Sequence, residues 1–157
     1  MAWLDALKGK VIGLDTSPLI YFIEENPKYT SIVDPFFEAL ARRELRVVTS
    51  TITLLEVLVH PMKRNDARLA TKYRTILLNT RDLSLISFNQ SIAEEAARIR
   101  AVYDLHIADA IEIATALNSR ATFFLTNDKR LSSVSGIEVL LLDELKEKSV
   151  DEPKTDS

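Results

Sequence analysis

Four acidic residues, Asp15, Glu56, Asp109 and Asp128, are the candidates for chemistry, and their surroundings differ in how much ordinary work they offer a carboxylate. Glu56 lies within Ile52-Thr53-Leu54-Leu55-Glu56-Val57-Leu58-Val59. On a helix those apolar side chains point in every direction, so the helix is expected to be largely buried. A buried ionised carboxylate is costly unless it is paired or metal-bound; an arginine, or the edge of the helix, meets that demand as a metal does. Asp109 repeats the pattern in IADAIEIATAL, near the start of a second apolar helix, where a negative charge also complements the helix dipole. Glu112, a turn later, could support the acidic residues from behind, but a solvent-facing position is the favoured expectation. Asp15 ends the apolar run Val11–Leu14. Because Ser17 suits the N-cap with Pro18 in the first turn, Asp15 is surplus to capping. Asp128 follows FFLT, a position that also suits a turn or capping aspartate.

Two unit charges about 6 Å apart at an effective dielectric of about 20 repel by roughly 3 kcal/mol, so several carboxylates gathered together threaten a marginally stable domain. A divalent cation resolves that conflict. The chain has no cysteine, which excludes disulfides, thiolate catalysis and thiolate zinc sites, and an oxygen-only donor set favours hard cations such as Mg2+ or Mn2+. The chemistry that suits such a site is metal-assisted attack of water on a phosphodiester. His106, one turn before Asp109, could meet a phosphate or move a proton but reads more readily as a partly exposed structural histidine, and His60, before Pro61, reads as a contact at a helix end.

The elements that must position these residues follow from periodicity. Strands are expected at 11–14, 46–50, 82–87, 121–126 and 137–142, and helices over 29–44, 52–59, 91–102 and 106–119, with a further basic helix before the third strand. Strands alternating with helices, short connections and only three glycines indicate a three-layer α/β/α fold around a mostly parallel five-stranded sheet. In open parallel sheets, ligand sites form beyond the carboxyl ends of the strands, where Asp15 and Asp128 fall. A helix running back antiparallel to the sheet brings its N-terminus, with Asp109, to the same edge, and Glu56 follows the second strand closely. All four carboxylates are therefore expected to converge. Residues 1–145 form one domain in this reading, and the polar stretch 146–157, with Pro153, a disordered tail.

The net charge of −3 argues against a general polyanion binder. Basic residues do cluster between His60 and Arg81, where Arg64, Arg68 and Lys72 recur every four positions and would form one stripe on a helix, either a solvated face or a contact for a nucleic-acid backbone. No apolar run approaches the roughly 20 residues needed to span a bilayer, and residues 1–10 lack the apolar core of a signal peptide, so a soluble, cytoplasmic protein is expected.

The segments VIGLDTSPLIYF, STITLLEVLV, ADAIEIATAL and FLTNDKRL, carrying Asp15, Glu56, Asp109 and Asp128 in that order, resemble the PIN domain family, and within it the VapC-type toxins of toxin-antitoxin pairs. The resemblance runs from Val11 to about Leu142. It implies a metal-dependent endoribonuclease acting on RNA, with Asp15 and Asp109 as principal ligands of Mg2+ or Mn2+, and Glu56 and Asp128 completing the acidic pocket. It also implies a hydroxyl at Thr126 that supports the pocket, a homodimer, and inhibition by a small VapB-like antitoxin. One departure is the run Leu105-His106-Ile107-Ala108, where many relatives carry a basic and a small polar residue for phosphate contact. Three other readings are weighed: action on DNA, action in RNA processing, and a PIN-like binding module without catalysis. A phosphatase of the aspartate-nucleophile class is disfavoured because its second aspartate falls at the position of Ser17.

Overall fold

The computed structural model describes residues 1–151. The strands β1 (Val11–Leu14), β2 (Arg46–Ser50), β3 (Leu83–Ile86), β4 (Phe123–Thr126) and β5 (Glu138–Leu141) form one sheet in the order β3-β2-β1-β4-β5. Every neighbouring pair is parallel. The expected strand positions are recovered to within two residues, and the sheet is parallel throughout rather than mostly so.

Period-two alternation divides the core between the two faces of the sheet. Ile12, Leu14, Val47 and Leu125 point to one side, where they pack with Leu19 of α2 (Thr16–Ile23), Phe36 and Phe37 of α3 (Thr30–Ala41), Tyr73 and Leu77 of α5 (Ala67–Asn79), and the start of α8 (Leu142–Asp151). Val48 and Phe124 point to the other, against α6 (Gln90–Tyr103) and the alanine-rich face of α7 (Ile107–Asn118). Gly13 shares that second side. A Cβ there would lie 2.5 Å from Ala116 Cβ and 2.8 Å from the Phe124 ring, so only glycine lets β1 and α7 approach this closely.

Three expectations need correction. The helix carrying Glu56, α4 (Thr51–Lys63), is not buried all round: Leu55 is 59% exposed, Val59 43% and Met62 53%, a stripe at helical spacing that faces outward. The basic run is not one helix. Arg64 caps the end of α4, Asn65 adopts a left-handed conformation, and Asp66 starts α5 by accepting a hydrogen bond from Leu69 N at 3.0 Å, so Arg64 is separated from Arg68 and Lys72. The polar stretch beginning at Lys146 is helical as far as Asp151, because the buried Leu142 and Leu145 anchor the first turns of α8 and the following Lys and Glu residues favour helix. Residues 152–157 lie outside the described residues. A short helix α1 (Ala2–Asp5), not foreseen, seats Trp3 against the first core.

Candidate active site

Strand order places the site. From β1 the chain crosses to β2 on one side, and from β4 to β5 on the other, so β1 and β4 flank the point where the winding reverses. Crevices at the carboxyl ends of such strands are the usual ligand positions in parallel sheets. Asp15 follows β1 there, and Thr126, Asn127 and Asp128 end or follow β4.

Asp15 is 8% exposed. Its Oδ1 accepts from Thr16 N at 2.8 Å, and its Oδ2 from Thr126 Oγ1 at 2.6 Å. Asp15, not Ser17, is thus the N-cap of α2, so the aspartate expected to be spare for function has a structural task as well. Burial pushes its carboxyl up to about 6, against the two hydrogen bonds, with the neighbouring charges of Asp109 and Glu56 adding to the rise.

The other carboxylates stand nearby. Asp109, in the first turn of α7, and Glu56, on α4, are both raised above the ordinary carboxylate range, chiefly by partial desolvation; Asp128 adds to the rise at Asp109, and Asp109 to that at Glu56. Glu56 remains accessible to solvent and accepts from Thr16 Oγ1 at 3.0 Å. Asp128 starts a 3-10 turn over Lys129–Ser133, accepting from Arg130 N at 3.0 Å, while its own N–H donates to Thr126 Oγ1 at 3.1 Å. The Arg130 hydrogen bonds hold Asp128 below the usual carboxylate range.

Arg130, which the sequence reading passed over, joins these groups. Its guanidinium forks onto Asp128 with Nε 3.0 Å from Oδ1, reaches Asp109 Oδ2 from Nη2 at 3.2 Å, and places Nη1 3.2 Å from Nε2 of His106. His106, the exposed N-cap residue of α7, thus meets an arginine. His60, in the last turn of α4, also meets one, with its Nε2 3.1 Å from Nη1 of Arg64.

Glu112 was expected in solvent and is instead 2% exposed. Its Oε1 accepts from Thr53 Oγ1 at 2.6 Å. Burial is the main cause of a carboxyl raised well above its ordinary range, with Asp15, Glu56 and Asp109 adding like charge. The criterion that singled out Glu56, a carboxylate in a helix apolar all round, fits Ile111-Glu112-Ile113 better than it fits α4. Thr16 and Thr53, also unforeseen, link the two glutamates: their Oγ1 atoms lie 3.3 Å apart, one donating to Glu56 and the other to Glu112.

Among the described residues no group of three His, Asp or Glu side chains stands ready to hold a metal ion. Arg130 supplies the positive charge between Asp109 and Asp128. The donor chemistry nonetheless fits a hard divalent cation, since the inward groups are carboxylate and hydroxyl oxygens without sulfur, and Glu112 Oε2 is buried without a hydrogen-bond partner.

The chain belongs to the PIN domain family, whose model matches residues 12–137. Its fold is similar to that of VapBC2 from Rickettsia felis, solved bound to a promoter DNA fragment, with TM-score 0.67 and 18% identity over 83% of this chain and 98% of that one. A toxin-antitoxin complex from Klebsiella pneumoniae matches with TM-score 0.63 and 24% identity, covering 84% of this chain and 97% of the other. VapC20 of Mycobacterium tuberculosis, a toxin that cleaves the sarcin-ricin loop, matches with TM-score 0.65 and 19% identity, covering 82% and 98%. No curated protein sequence matches significantly. Among the described residues no helix is long and apolar enough to cross a membrane.

Proposed function

We propose that this PIN domain is a Mg2+- or Mn2+-dependent endoribonuclease and the toxin of a toxin-antitoxin pair. The observation that carries the reading is Asp15: a buried carboxylate, held at both oxygens, at the winding reversal of a parallel sheet and beside Asp109 and Glu56. Burial first, and mutual repulsion second, raise the proton affinity of these neighbouring carboxylates, and a bound cation offsets both costs of keeping them charged.

Asp15 and Asp109 are the principal ligands in this reading, with Glu56 and Asp128 completing the set. The cation, when bound, polarises the phosphoryl oxygen and lowers the pKa of the attacking water. Thr16 and Thr126 fix the orientation of Asp15, and Thr16 also orients Glu56. Arg130, exposed and in reach of two carboxylates, is placed to release one of them and fork onto a phosphate of the RNA, the contact that Leu105–Ala108 does not supply.

The antitoxin part of the reading draws support from the similar structures, several of them toxin-antitoxin complexes, and from the exposed stripe Leu55, Val59 and Met62 on the helix that carries Glu56. A small VapB-like protein inserting a segment over that stripe would dock on the helix that presents Glu56. A homodimer and a cytoplasmic location belong to the same proposal.

The test is incubation of wild type, Asp15→Asn and Asp109→Asn with a structured RNA pool and a matched DNA pool, in EDTA, Mg2+ or Mn2+. Metal-dependent RNA cleavage that both variants lose by a hundredfold or more is expected, on the order of the loss seen when a main electrostatic contributor is removed. Cleavage of DNA alone would replace the substrate. A folded wild type that binds no cation would leave a binding module as the surviving reading.

A further inference from the structure

Glu112 is not among the carboxylates that the family's motifs mark, and it is more deeply buried than any of them. It projects from α7 one turn beyond Asp109. Its Oε1 accepts from the Thr53 hydroxyl at 2.6 Å, and the Thr53 oxygen lies 3.0 Å from Thr49 Oγ1, whose one proton is shared between Thr53 and the carbonyl of Leu14 at 2.8 Å. This hydroxyl chain ties Glu112 to the ends of β1 and β2. Its other oxygen, Oε2, has no hydrogen-bond partner among the described residues.

A buried acceptor left unsatisfied costs about 1–3 kcal/mol, more for a charged group, and native proteins retain few of them. An apolar residue would suit the surroundings of α7 better, since Ile111, Ile113, Ala114 and Ala116 all lie in the second core. The charged groups that act on Glu112 are Asp15, Glu56 and Asp109, all of like sign. Among the described residues no arginine or lysine pairs with it, so a carboxyl here serves neither packing nor an ion pair.

We infer that Glu112 is a positioning residue of the cation site: Oε2 receives a hydrogen bond from the hydration shell of the divalent cation, while Oε1 fixes Thr53 and, beside it, the Thr16 hydroxyl that holds Glu56. The inference rests on the proposed metal-dependent function and adds a fifth carboxyl to the four of the motifs. Outer-sphere partners of this kind typically contribute 10–100-fold to metal affinity.

Glu112→Gln isolates the role. The amide oxygen still accepts from Thr53, but the amide nitrogen puts a donor where a hydrated cation needs an acceptor. Glu112→Leu removes both contacts and fills the site with a side chain suited to an apolar helix. Both variants and wild type are titrated with Mn2+ by calorimetry at constant pH, and their melting temperatures are measured in EDTA. The expected result is Mn2+ affinity at least tenfold weaker in both variants, with the melting temperature of Glu112→Gln in EDTA equal to or above that of wild type. If Glu112→Gln does not fold, Glu112→Leu carries the same comparison. Affinities within twofold of wild type overturn the role of Glu112 and leave the nuclease reading standing, whereas absence of Mn2+ binding in wild type overturns both.

Discussion

Thr126 Oγ1 donates to Asp15 Oδ2 at 2.6 Å across 111 residues of sequence, and the same oxygen accepts from Asp128 N at 3.1 Å. One hydroxyl therefore fixes the first acidic residue of the chain's site and the backbone that presents the last. It can do so because β1 and β4 are neighbours, with Asp15 N bonded to Leu125 O at 3.0 Å. The central strand pair and the site are in this sense a single construction.

Replacing Thr126 with Val keeps the shape and deletes that hydroxyl. Asp15 then loses one of its two donors and Asp128 N its acceptor, at a cost of about 1–3 kcal/mol for buried partners left unsatisfied. Thermal or urea denaturation should show this loss for Thr126→Val and a much smaller one for Thr126→Ser. In Mn2+ titrations, Thr126→Val should also bind more weakly, because Asp15 is no longer held in one rotamer. Equal stability of the Val and Ser variants would mean that the hydroxyl contributes through neither partner.

Acidity should stabilise the cation-free protein. The carboxyl of Asp15 loses its proton near 3.8 in the unfolded chain and near 6 in the folded one. Between those values the folded state binds more protons, so stability is fully present below the lower value and is lost as pH rises through the higher one. The difference is worth ~3 kcal/mol. Glu56, Asp109 and Glu112 shift in the same direction, while Asp128 opposes them. In EDTA the melting temperature should fall between pH 4 and pH 7, and Asp15→Asn should flatten that fall. Mn2+ at pH 7.5 should restore wild type but not the variant. A wild type with no pH dependence in EDTA would mean that the cluster is not desolvated as described.

The sheet was legible because alternation and apolar runs depend on burial, which a sequence records directly: VIGL, RVVTS and FFLT became central strands at the positions read for them. The same rule failed for α4, where an apolar helix exposes Leu55, Val59 and Met62, since composition does not tell a helix apolar all round and buried from one that leaves an apolar stripe in solvent. It failed again at Glu112, where a charge was assumed to seek water although both neighbours in sequence are buried isoleucine. Arg130 and Thr16 escaped notice because their roles depend on residues 21 and 40 positions away, a juxtaposition made only by the strand order. Asp15 as a cap was missed for a simpler reason: two capping residues two positions apart compete, and the extended backbone of Asp15 decides between them.

Gly13 couples packing to the site. An alanine there meets Ala116 Cβ of α7 and the Phe124 ring of β4 at distances no real Cβ tolerates. Either α7 moves away from the sheet or the strands distort, at a cost of about 1–3 kcal/mol or more. Displacing α7 also displaces Asp109 and Glu112. Gly13→Ala should lower both the melting temperature and the Mn2+ affinity, whereas a core truncation remote from α7, such as Leu77→Ala, should lower stability alone. If both variants bind Mn2+ equally well once folded, the close approach of α7 to β1 does not set the spacing of the carboxylates.

Arg130 and a divalent cation perform the same electrostatic task for Asp109 and Asp128 and should therefore compete. With no cation, the guanidinium is what offsets the repulsion that raises Asp109, and it is the hydrogen bond from Arg130 that holds Asp128 low. Arg130 is half exposed, so solvent screens the contact and the stabilisation is modest. Arg130→Gln should lower the melting temperature slightly in EDTA, and saturating Mn2+ should abolish the difference from wild type. Its Mn2+ affinity should rise rather than fall, because no internal cation has to be displaced. RNA cleavage should weaken even so if the freed guanidinium grips a phosphate, and single-turnover measurements at saturating Mn2+ separate the two effects. An Arg130→Gln variant with weaker Mn2+ binding would show that the arginine assembles the acidic pocket rather than competing for it.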